Sequence, residues 1–481
     1  MKKSFSKYYF KENVLDNWDE IKQKYPNIQN AIELMDKINK AGFEALMVGG
    51  VVRDLVLGNE PNDVDITTDA IPDQIEKIFG KVIDIGQNKK MGVSVVPYKG
   101  ENYEIATYRK DQFNDLSKGK GADTVELTTS FKDDTSRRDF KINQLGIDKD
   151  GNIIDNWGGL KDIKNKVIST VGDPNLRFKE DQIRSLRAVR FSSRLGFTIS
   201  PETIEAMKQN APEITKVAPE RITKELMKMA EQSGPAFAEA IITMDKVGLL
   251  QYILPEIFKM HELEHNKEFH PETDDEGKHT VFGHVIQALR SQPLKDSILN
   301  LSVLMHDVGK INTQSIDDQG FIHYLRHAQE ADKLIDQIAD RLKFDNETRR
   351  KIQFAAINHM KAHEILAMSN SKIAELMNND AFDILIKVAE ADARARGKLF
   401  DDVEWQKILS KINDIAIKFK DKKAKDAVKK VVNGNWVMGL KGITKPGPEV
   451  GRIINTTVDW IIDSGIDMND TKAIEDYIKS I

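Results

Sequence analysis

Apolar residues recur along this chain with two different periods, and the changes of period mark its elements. Ile28, Ile32, Met35 and Ile38 share one face of a helix, and Gly42 stands where a left-handed cap belongs. An uninterrupted apolar run, Ala45-Leu46-Met47-Val48, ends in Gly49-Gly50, and Val51-Val52-Arg53-Asp54 opens a second helix. Pro61-Asn62 turns the chain into Asp63-Val64-Asp65-Ile66, where charged and apolar residues alternate. Side chains at i and i+2 of a strand share a face, so both carboxylates project to one side while Val64 and Ile66 enter a core. A short helix is predicted over 73–79, and strands over 82–85, 93–96 and 103–108. Residues 110–123 are rich in Gly and Lys, lack apolar period and read as a mobile loop. The order predicts a small mixed sheet with helices on it.

Beyond residue 170 the period is helical. Ile183, Leu186, Val189 and Phe191 supply an apolar stripe, and Asp181, Arg184, Arg187 and Arg190 recur every third residue along one flank. Ala218-Pro219 opens another helix, with a further RNA contact expected from Arg221. Ile298, Leu299, Leu301 and Leu304 read as a buried helix. Ile408, Ile412, Ile415 and Ile417 give an amphipathic pattern, followed by Lys418, Lys420, Lys422, Lys423 and Lys425. The fold class is α+β. An extension (1–27) precedes a mixed-sheet head (28–170), an all-α neck (171–265), a histidine-rich helical domain (266–397) and a helical tail (398–481).

Composition adds bounds to this picture. A chain of 481 residues exceeds one core. Its 40% hydrophobic and 31% charged residues are those of a globular protein, and no run approaches the ~18 apolar residues of a membrane span. The N-terminal stretch has Lys but no apolar core, which argues against a signal peptide. There is no cysteine, which excludes disulfides and thiolate metal sites and agrees with a cytoplasmic location. A net charge of −5 argues against nucleic acid at first sight. Between residues 177 and 194, however, six basic residues (Arg177, Lys179, Arg184, Arg187, Arg190, Arg194) face two acidic ones (Glu180, Asp181). Local patches decide binding.

The candidate chemistry lies in four places. Asp63 and Asp65, fixed side by side, repel each other unless a cation lies between them, and a hard divalent ion such as Mg²⁺ suits that pair. Gly50 lets the backbone approach a ligand, and the helix carrying Arg53 turns its N-terminus toward a phosphate. Glu104, in the strand over 103–108, is set to face the same side. Arg138, in Thr135-Ser136-Arg137-Arg138-Asp139, is a bidentate phosphate donor. Farther on, cytosine and adenine both present an exocyclic amino donor beside a ring-nitrogen acceptor, and uracil and guanine present the reverse. A carboxylate beside a guanidinium, as in Asp181 and Arg184, therefore accepts C and A and rejects U and G. Finally, all ten histidines fall between 261 and 363. For each feature there is a plainer reading: a solvated acidic strand, a surface ion-pair cluster, an Asp–Arg ladder on a helix face.

The stretch Gly49–Gly58 with Pro61–Thr68 resembles the signature of class II tRNA nucleotidyltransferases and bacterial poly(A) polymerases. Thr135–Asn143 resembles the same family's Arg-Arg-Asp motif. Glu180-Asp181-Gln182-Ile183-Arg184 resembles its Glu-Asp-x-x-Arg motif, which selects CTP and ATP without a nucleic-acid template. The resemblance implies Asp63, Asp65 and Glu104 as catalytic carboxylates, with Asp63 and Asp65 holding Mg²⁺. It implies Gly50, Arg53, Arg138, Asp181, Arg184, Arg187 and Arg190 as nucleotide contacts, a specificity-switching loop near residues 110–123, and a tRNA-binding tail. His306-Asp307-Val308-Gly309-Lys310 resembles an HD domain, a helical fold binding divalent metal. By position its ligands are His279, His306, Asp307 and Asp392, with His327 and His359 placed for a second metal. Mixed nitrogen and oxygen ligands suit Mn²⁺, Ni²⁺, Mg²⁺ or Fe²⁺.

The expected activity is addition or repair of the 3′-terminal CCA of tRNA from CTP and ATP, with an accessory phosphohydrolase in the HD region. The alternatives are a poly(A) polymerase of the same fold, a metal-dependent phosphohydrolase with an RNA-binding head, and a non-enzymatic RNA-binding protein. The expected partners are tRNA, ATP and CTP, with no membrane.

Overall fold

The computed structural model describes the chain apart from residues 1–9, 12–13, 16, 62, 84–90, 114, 116–118, 120, 275, 419–430, 465 and 468–469. Two compact units result. One comprises residues 1–229 with 239–255, the other 230–238 with 256–481. The head and most of the neck thus form a single unit.

In this first unit α1 (Pro26–Lys40) buries Ile28, Ala31, Leu34, Met35 and Ile38, and Gly42 follows with φ +91°. The chain continues through β1 (Ala45–Val48), α2 (Gly50–Val56), β2 (Asp65–Thr68) and α3 (Pro72–Phe79). Next come β3 (Val93–Tyr98), β4 (Glu101–Thr107), β5 (Arg109–Gln112), β6 (Thr124–Leu127) and α4 (Phe131–Ser136). Two short strands, β7 (Gly146–Ile147) and β8 (Ile153–Ile154), complete a six-stranded sheet in the order β8-β7-β1-β2-β4-β3. All its pairings are antiparallel except β2 with β4, so the sheet is mixed, as the pattern predicts.

The register positions the chemistry. Val48 pairs with Asp65, which brings the end of β1 and its Gly49 turn level with the start of β2. Ile66 pairs with Ile105, which puts Glu104 level with Asp65 on the neighbouring strand. Val64 and Ile66 are buried while Asp63, Asp65 and Glu104 reach solvent, the alternation expected of a half-buried strand. β5 and β6 form a separate two-stranded ribbon, so residues 110–112 are strand rather than the predicted loop. The predicted strand over 82–85 reduces to one bridge, Ile83 to Val95, and its last two residues lie outside the described residues.

The neck corrects one expectation. Residues 174–195 are not one helix but α5 (Pro174–Glu180) and α6 (Ile183–Leu195). Asp181 stands between them in an extended conformation, φ −154° and ψ 106°. It therefore does not share a helix flank with Arg184, Arg187 and Arg190. α7 (Pro219–Ala230) follows.

The second unit is helical. α8 (Val281–Ser291), α9 (Ser297–Met305), α10 (His327–Leu342), α11 (Asn346–His363) and α12 (Phe382–Ala395) pack on one another. α13 (Asp402–Lys418) buries Trp405, Ile408 and Ile415 against α11 and α12, whereas Ile417 is exposed. α14 (Pro448–Ser464) and α15 (Thr471–Ser480) share a last small core. The predicted basic run Lys420, Lys422, Lys423 and Lys425 lies outside the described residues, as does the side chain of Lys418.

Ile66 has no exposed surface and points away from its carboxylate neighbours. Ile66→Ala should cost about 3 kcal/mol, the usual penalty for emptying such a site. A lowered urea midpoint of the first unit would register it, and an unchanged midpoint would contradict the close packing of Ile66.

Candidate active site

Three carboxylates, Asp63, Asp65 and Glu104, line a cleft of about 490 Å³ together with Asn27, Glu101, Asn102 and Tyr103. At the floor of this cleft the Asp65 carboxyl is pushed up by partial desolvation and by the like charges of Glu104 and Asp63, against a smaller opposing pull from Arg138. Such a set has the hard oxygen donors and the uncompensated negative charge that suit a divalent cation.

A second cavity, about 660 Å³, opens on the other side of Asp65. Its walls carry Gly49, Gly50, Arg53, Arg138, Asp181, Arg184, Arg187 and Arg221. Asp65 lines both spaces. Gly49 makes the turn at its edge with φ +78°, and a side chain there would meet Arg138 Nη1 at 3.4 Å. Of the nucleotide contacts expected from sequence, Gly50, Arg53, Arg138, Asp181, Arg184 and Arg187 meet around this cavity. Arg190 does not line it. Its Nε donates to Glu225 at 2.6 Å, and its place is in the buried support behind the wall.

The arginines are held by acidic partners that sequence reasoning passed over. Arg53 donates to Asp54 from Nε and to Asn143 from Nη1. Asn143 Nδ2 donates in turn to Asp139 Oδ1, and Asp139 Oδ2 accepts from Arg187 Nε at 2.8 Å. Burial would raise the Asp139 carboxyl, but Arg187, Asn143 and the Phe140 N–H together draw it down to about 2. Arg138 Nη2 is held by Asp134 and Nη1 by the Asn143 carbonyl, and its guanidinium lines the cavity. The Phe191 ring lies 5.3 Å from the guanidinium carbons of both Arg53 and Arg187. Asn143 and Asp139 were legible in principle, four residues apart in the motif that carries Arg138.

At the far wall stand Asp181 and Arg184. Arg184 Nη1 donates to Glu180 at 2.6 Å and to the Arg177 carbonyl, and Nη2 donates to the Arg137 carbonyl. Three of its five N–H groups are thereby committed, and the guanidinium is fixed while still able to donate. Asp181 is bonded not to Arg184 but to Arg221, whose Nη2 donates to Oδ2 at 2.7 Å. The break that carries Asp181 is bracketed by the loop after β5: Gly121 N donates to the Glu180 carbonyl, and Gln182 N to the Gly119 carbonyl. Gly119 has φ +55°, and a Cβ there would lie 2.8 Å from Gln182 Cγ.

The second unit gathers its own cluster. Asp307 Oδ2 lies 3.3 Å from His306 Nε2 and 3.8 Å from His284 Nε2, and Asp392 Oδ1 lies 3.0 Å from His284 Nε2. On the other side Asp307 Oδ1 lies 3.7 Å from His327 Nε2 and 3.8 Å from His359 Nε2. His306, Asp307, His327 and His359 thus come together, Asp392 joins them through His284, and His279 stands apart. Thr280 caps α8, so His279 lies outside the helix and turns its Nδ1 to the carbonyls of His270 and Glu272. His284, one turn into α8, takes the position assigned to it. Burial would lower the His284 imidazole, but Asp392 and Glu272 raise it to about 9. His363, four residues after His359 on α11, holds Asp392 Oδ2 at 2.8 Å. The Nε2 atoms of His284 and His306 are buried and face carboxylate oxygens of Asp392 and Asp307.

Parts of the chain, and its fold, are similar to known proteins. Residues 45–169 match the poly A polymerase head domain, and residues 196–260 match a family described as the probable RNA and SrmB-binding site of polymerase A. The chain is 41% identical over 228 residues to a CCA-adding enzyme of Geobacillus thermodenitrificans, covering 47% of this chain and 55% of that one. It is 44% identical over 205 residues to a CCA-adding enzyme of Lactobacillus johnsonii, covering 42% and 50%. The match spans about half the length of these curated relatives. Among solved structures, the Bacillus stearothermophilus CCA-adding enzyme in complex with CTP aligns with a TM-score of 0.69 at 24% identity, over 95% of this chain and 98% of that one. The Thermotoga maritima CCA-adding enzyme complexed with tRNA aligns with a TM-score of 0.61 at 18% identity, over 97% and 99%. The head matches the poly A polymerase head domain over residues 45–169, and the fold is shared with the solved CCA-adding enzymes. No helix among the described residues is long and apolar enough to cross a membrane.

Asp139→Ala should destabilise the first unit by about 3 kcal/mol at pH 7, because Arg187 loses its buried partner. The Asp139 carboxyl is depressed in the folded state, so its contribution is present above the ordinary carboxylate value near 4 and fades as pH falls toward about 2. Faster amide exchange in α6 at pH 7, with the difference from wild type closing below pH 4, would bear this out; a constant difference would count against it.

Proposed function

We propose that this chain is a template-independent nucleotidyltransferase that adds or restores the 3′-terminal CCA of tRNA from CTP and ATP. The observation that carries this reading is that Asp65 belongs to both cavities. A triphosphate in the arginine-lined cavity and an RNA end in the carboxylate cleft would meet at that one side chain. Arg138 would hold the phosphates, with Arg53 and Arg187 forming the wall beside it. The RNA 3′-hydroxyl oxygen attacks the α-phosphorus in line, its proton leaves, the bond to the bridging oxygen breaks, and pyrophosphate departs. Asp63 and Asp65, with Glu104 beside them, would hold Mg²⁺, which when bound lowers the pKa of the attacking hydroxyl and neutralises the triphosphate. Asp181 and Arg184 would choose the base, accepting the exocyclic amino group of C or A and donating to the neighbouring ring acceptor.

The test is incorporation on tRNA ending before CCA. CTP alone should add C, and CTP with ATP should add C, C and A. Addition of A alone in a long run would favour the poly(A) polymerase reading, and no addition would overturn both. Asp65→Asn should reduce incorporation at least 100-fold. Because the carboxyl of Asp65 is raised in the folded protein, its ionised form opposes folding more as pH rises. Asp65→Asn should therefore raise the thermal midpoint without Mg²⁺ at pH 7.5 and abolish most of the Mg²⁺-induced increase seen in wild type. A variant that still gained the full increase would remove Asp65 from the metal site.

A second site reading has its own observation: Asp307 faces two groups of histidines with opposite oxygens, and the buried Nε2 atoms of His284 and His306 converge on the carboxylates of Asp392 and Asp307. Ligand atoms about 2.1 Å from one ion lie roughly 3–3.5 Å apart, close to these spacings. His284, His306, Asp307 and Asp392 would hold one divalent metal, and Asp307, His327 and His359 a second, in an HD-type centre suited to phosphoester hydrolysis. His306→Ala should lower the metal content of purified protein by at least one ion and abolish hydrolysis of 2′,3′-cyclic phosphate ends while leaving CTP incorporation intact. Unchanged metal content would refute the ligand set.

A further inference from the structure

The sequence sets Asp181 and Arg184 as the pair that reads the base, yet the partner the structure gives to Asp181 is Arg221 on α7. Its other hold is a single backbone contact, Ile183 N to Oδ1 at 3.3 Å. Asp181 stands in extended backbone between two helices, so neither helix fixes its side-chain direction. The terminal torsion of an aspartate is broad. A carboxylate that reads an amino group discriminates only if its lone pairs point one way, because a rotated carboxylate accepts from other donors equally well. Arg184 cannot supply that restraint, since its bonds run to Glu180 and to the carbonyls of Arg177 and Arg137. Arg221 lines the same cavity and is 40% exposed, against 15% for Asp181, so it approaches from the solvent side and bonds one oxygen. Each carboxylate oxygen keeps a lone pair for a base.

We propose that Arg221 is a positioning residue for base selection: by holding Oδ2 of Asp181 it aims the carboxylate at the exocyclic amino group of cytosine or adenine. This deepens the nucleotidyltransferase reading and depends on it. The role is directional rather than one of charge alone. Lys at this position supplies a point charge on a flexible stem, while Arg supplies a planar fork.

The test compares CTP, ATP, UTP and GTP as substrates for wild type, Arg221→Met, Arg221→Lys, Asp181→Ala and the Asp181→Ala/Arg221→Met double variant, with tRNA ending before CCA. Arg221→Met should lower the ratio of kcat/KM for CTP over UTP at least 10-fold, and that for ATP over GTP likewise. Arg221→Lys should fall between it and wild type. In the Asp181→Ala background, Arg221→Met should change neither ratio further. If Arg221→Met lowers the activity with all four nucleotides in proportion, the residue is only structural and the proposal falls. It also falls if Arg221→Met is as selective as wild type. If wild type itself shows no preference for C and A, the base-selection reading beneath the proposal fails, an outcome distinct from selectivity that survives in Arg221→Met. Circular dichroism and the thermal midpoint check that each variant is folded, and the exposure of Arg221 favours that.

Discussion

Guanidinium groups taken out of water must be matched by carboxylates, and this requirement shapes the whole head–neck unit. Arg53, Arg184 and Arg190 are all nearly inaccessible to solvent. An unmatched buried charge costs several kcal/mol, whereas a matched and hydrogen-bonded one is tolerable. Asp54, Glu180, Glu225 and Asp139 supply the matches. The result is a chain of polar contacts from Arg53 through Asn143 and Asp139 to Arg187 and on toward Glu225 and Arg190. It ties the helix that follows the first sheet strand to the helices that carry Arg190 and Glu225. The two halves of the site are far apart in sequence, yet they share one electrostatic framework.

That framework explains which parts of the site were legible in the sequence. Asp63, Asp65 and Glu104 were, because strand alternation and the order of strands fix their common side. The central strands of the mixed sheet follow from the spacing of apolar runs, whereas the two-residue strands Gly146–Ile147 and Ile153–Ile154 at its edge are too short to show a period. The place of Asp181 was not legible. A regular three-residue spacing from Asp181 to Arg190 suggests one continuous helix, but hydrogen bonds from the loop at Gly119 and Gly121 capture the backbone at Glu180 and Gln182 and interrupt it. Long-range contacts of this kind leave no local period. Arg190 was as hard to place: its position on α6 beside Arg187 suits a ligand contact, but the structure pairs it with Glu225, on a helix more than thirty residues away.

The histidine cluster illustrates a limit of matching by spacing. His279 and His284 are five residues apart and both precede the His306-Asp307 pair. What separates them is where a helix starts, and that is set by the Thr280 cap. Inside α8 the backbone aims His284 at Asp307 and Asp392; outside it, His279 turns to nearby carbonyls. Glu272 then orients the His284 ring from behind, and His363 does the same for the Asp392 carboxylate.

The loop that brackets Asp181 has a consequence of a different sort. Its grip is made by main-chain atoms on both sides, carbonyl and amide at Gly119 and Gly121 against amide and carbonyl at Gln182 and Glu180. Such a clasp is indifferent to most side chains around it and demands only small residues where the strands of chain nearly touch. A bulky replacement at Gly119 would therefore press on Gln182 and shift the main chain beside Asp181, so a change in the head would be felt in the neck without any new side-chain contact to Asp181 itself.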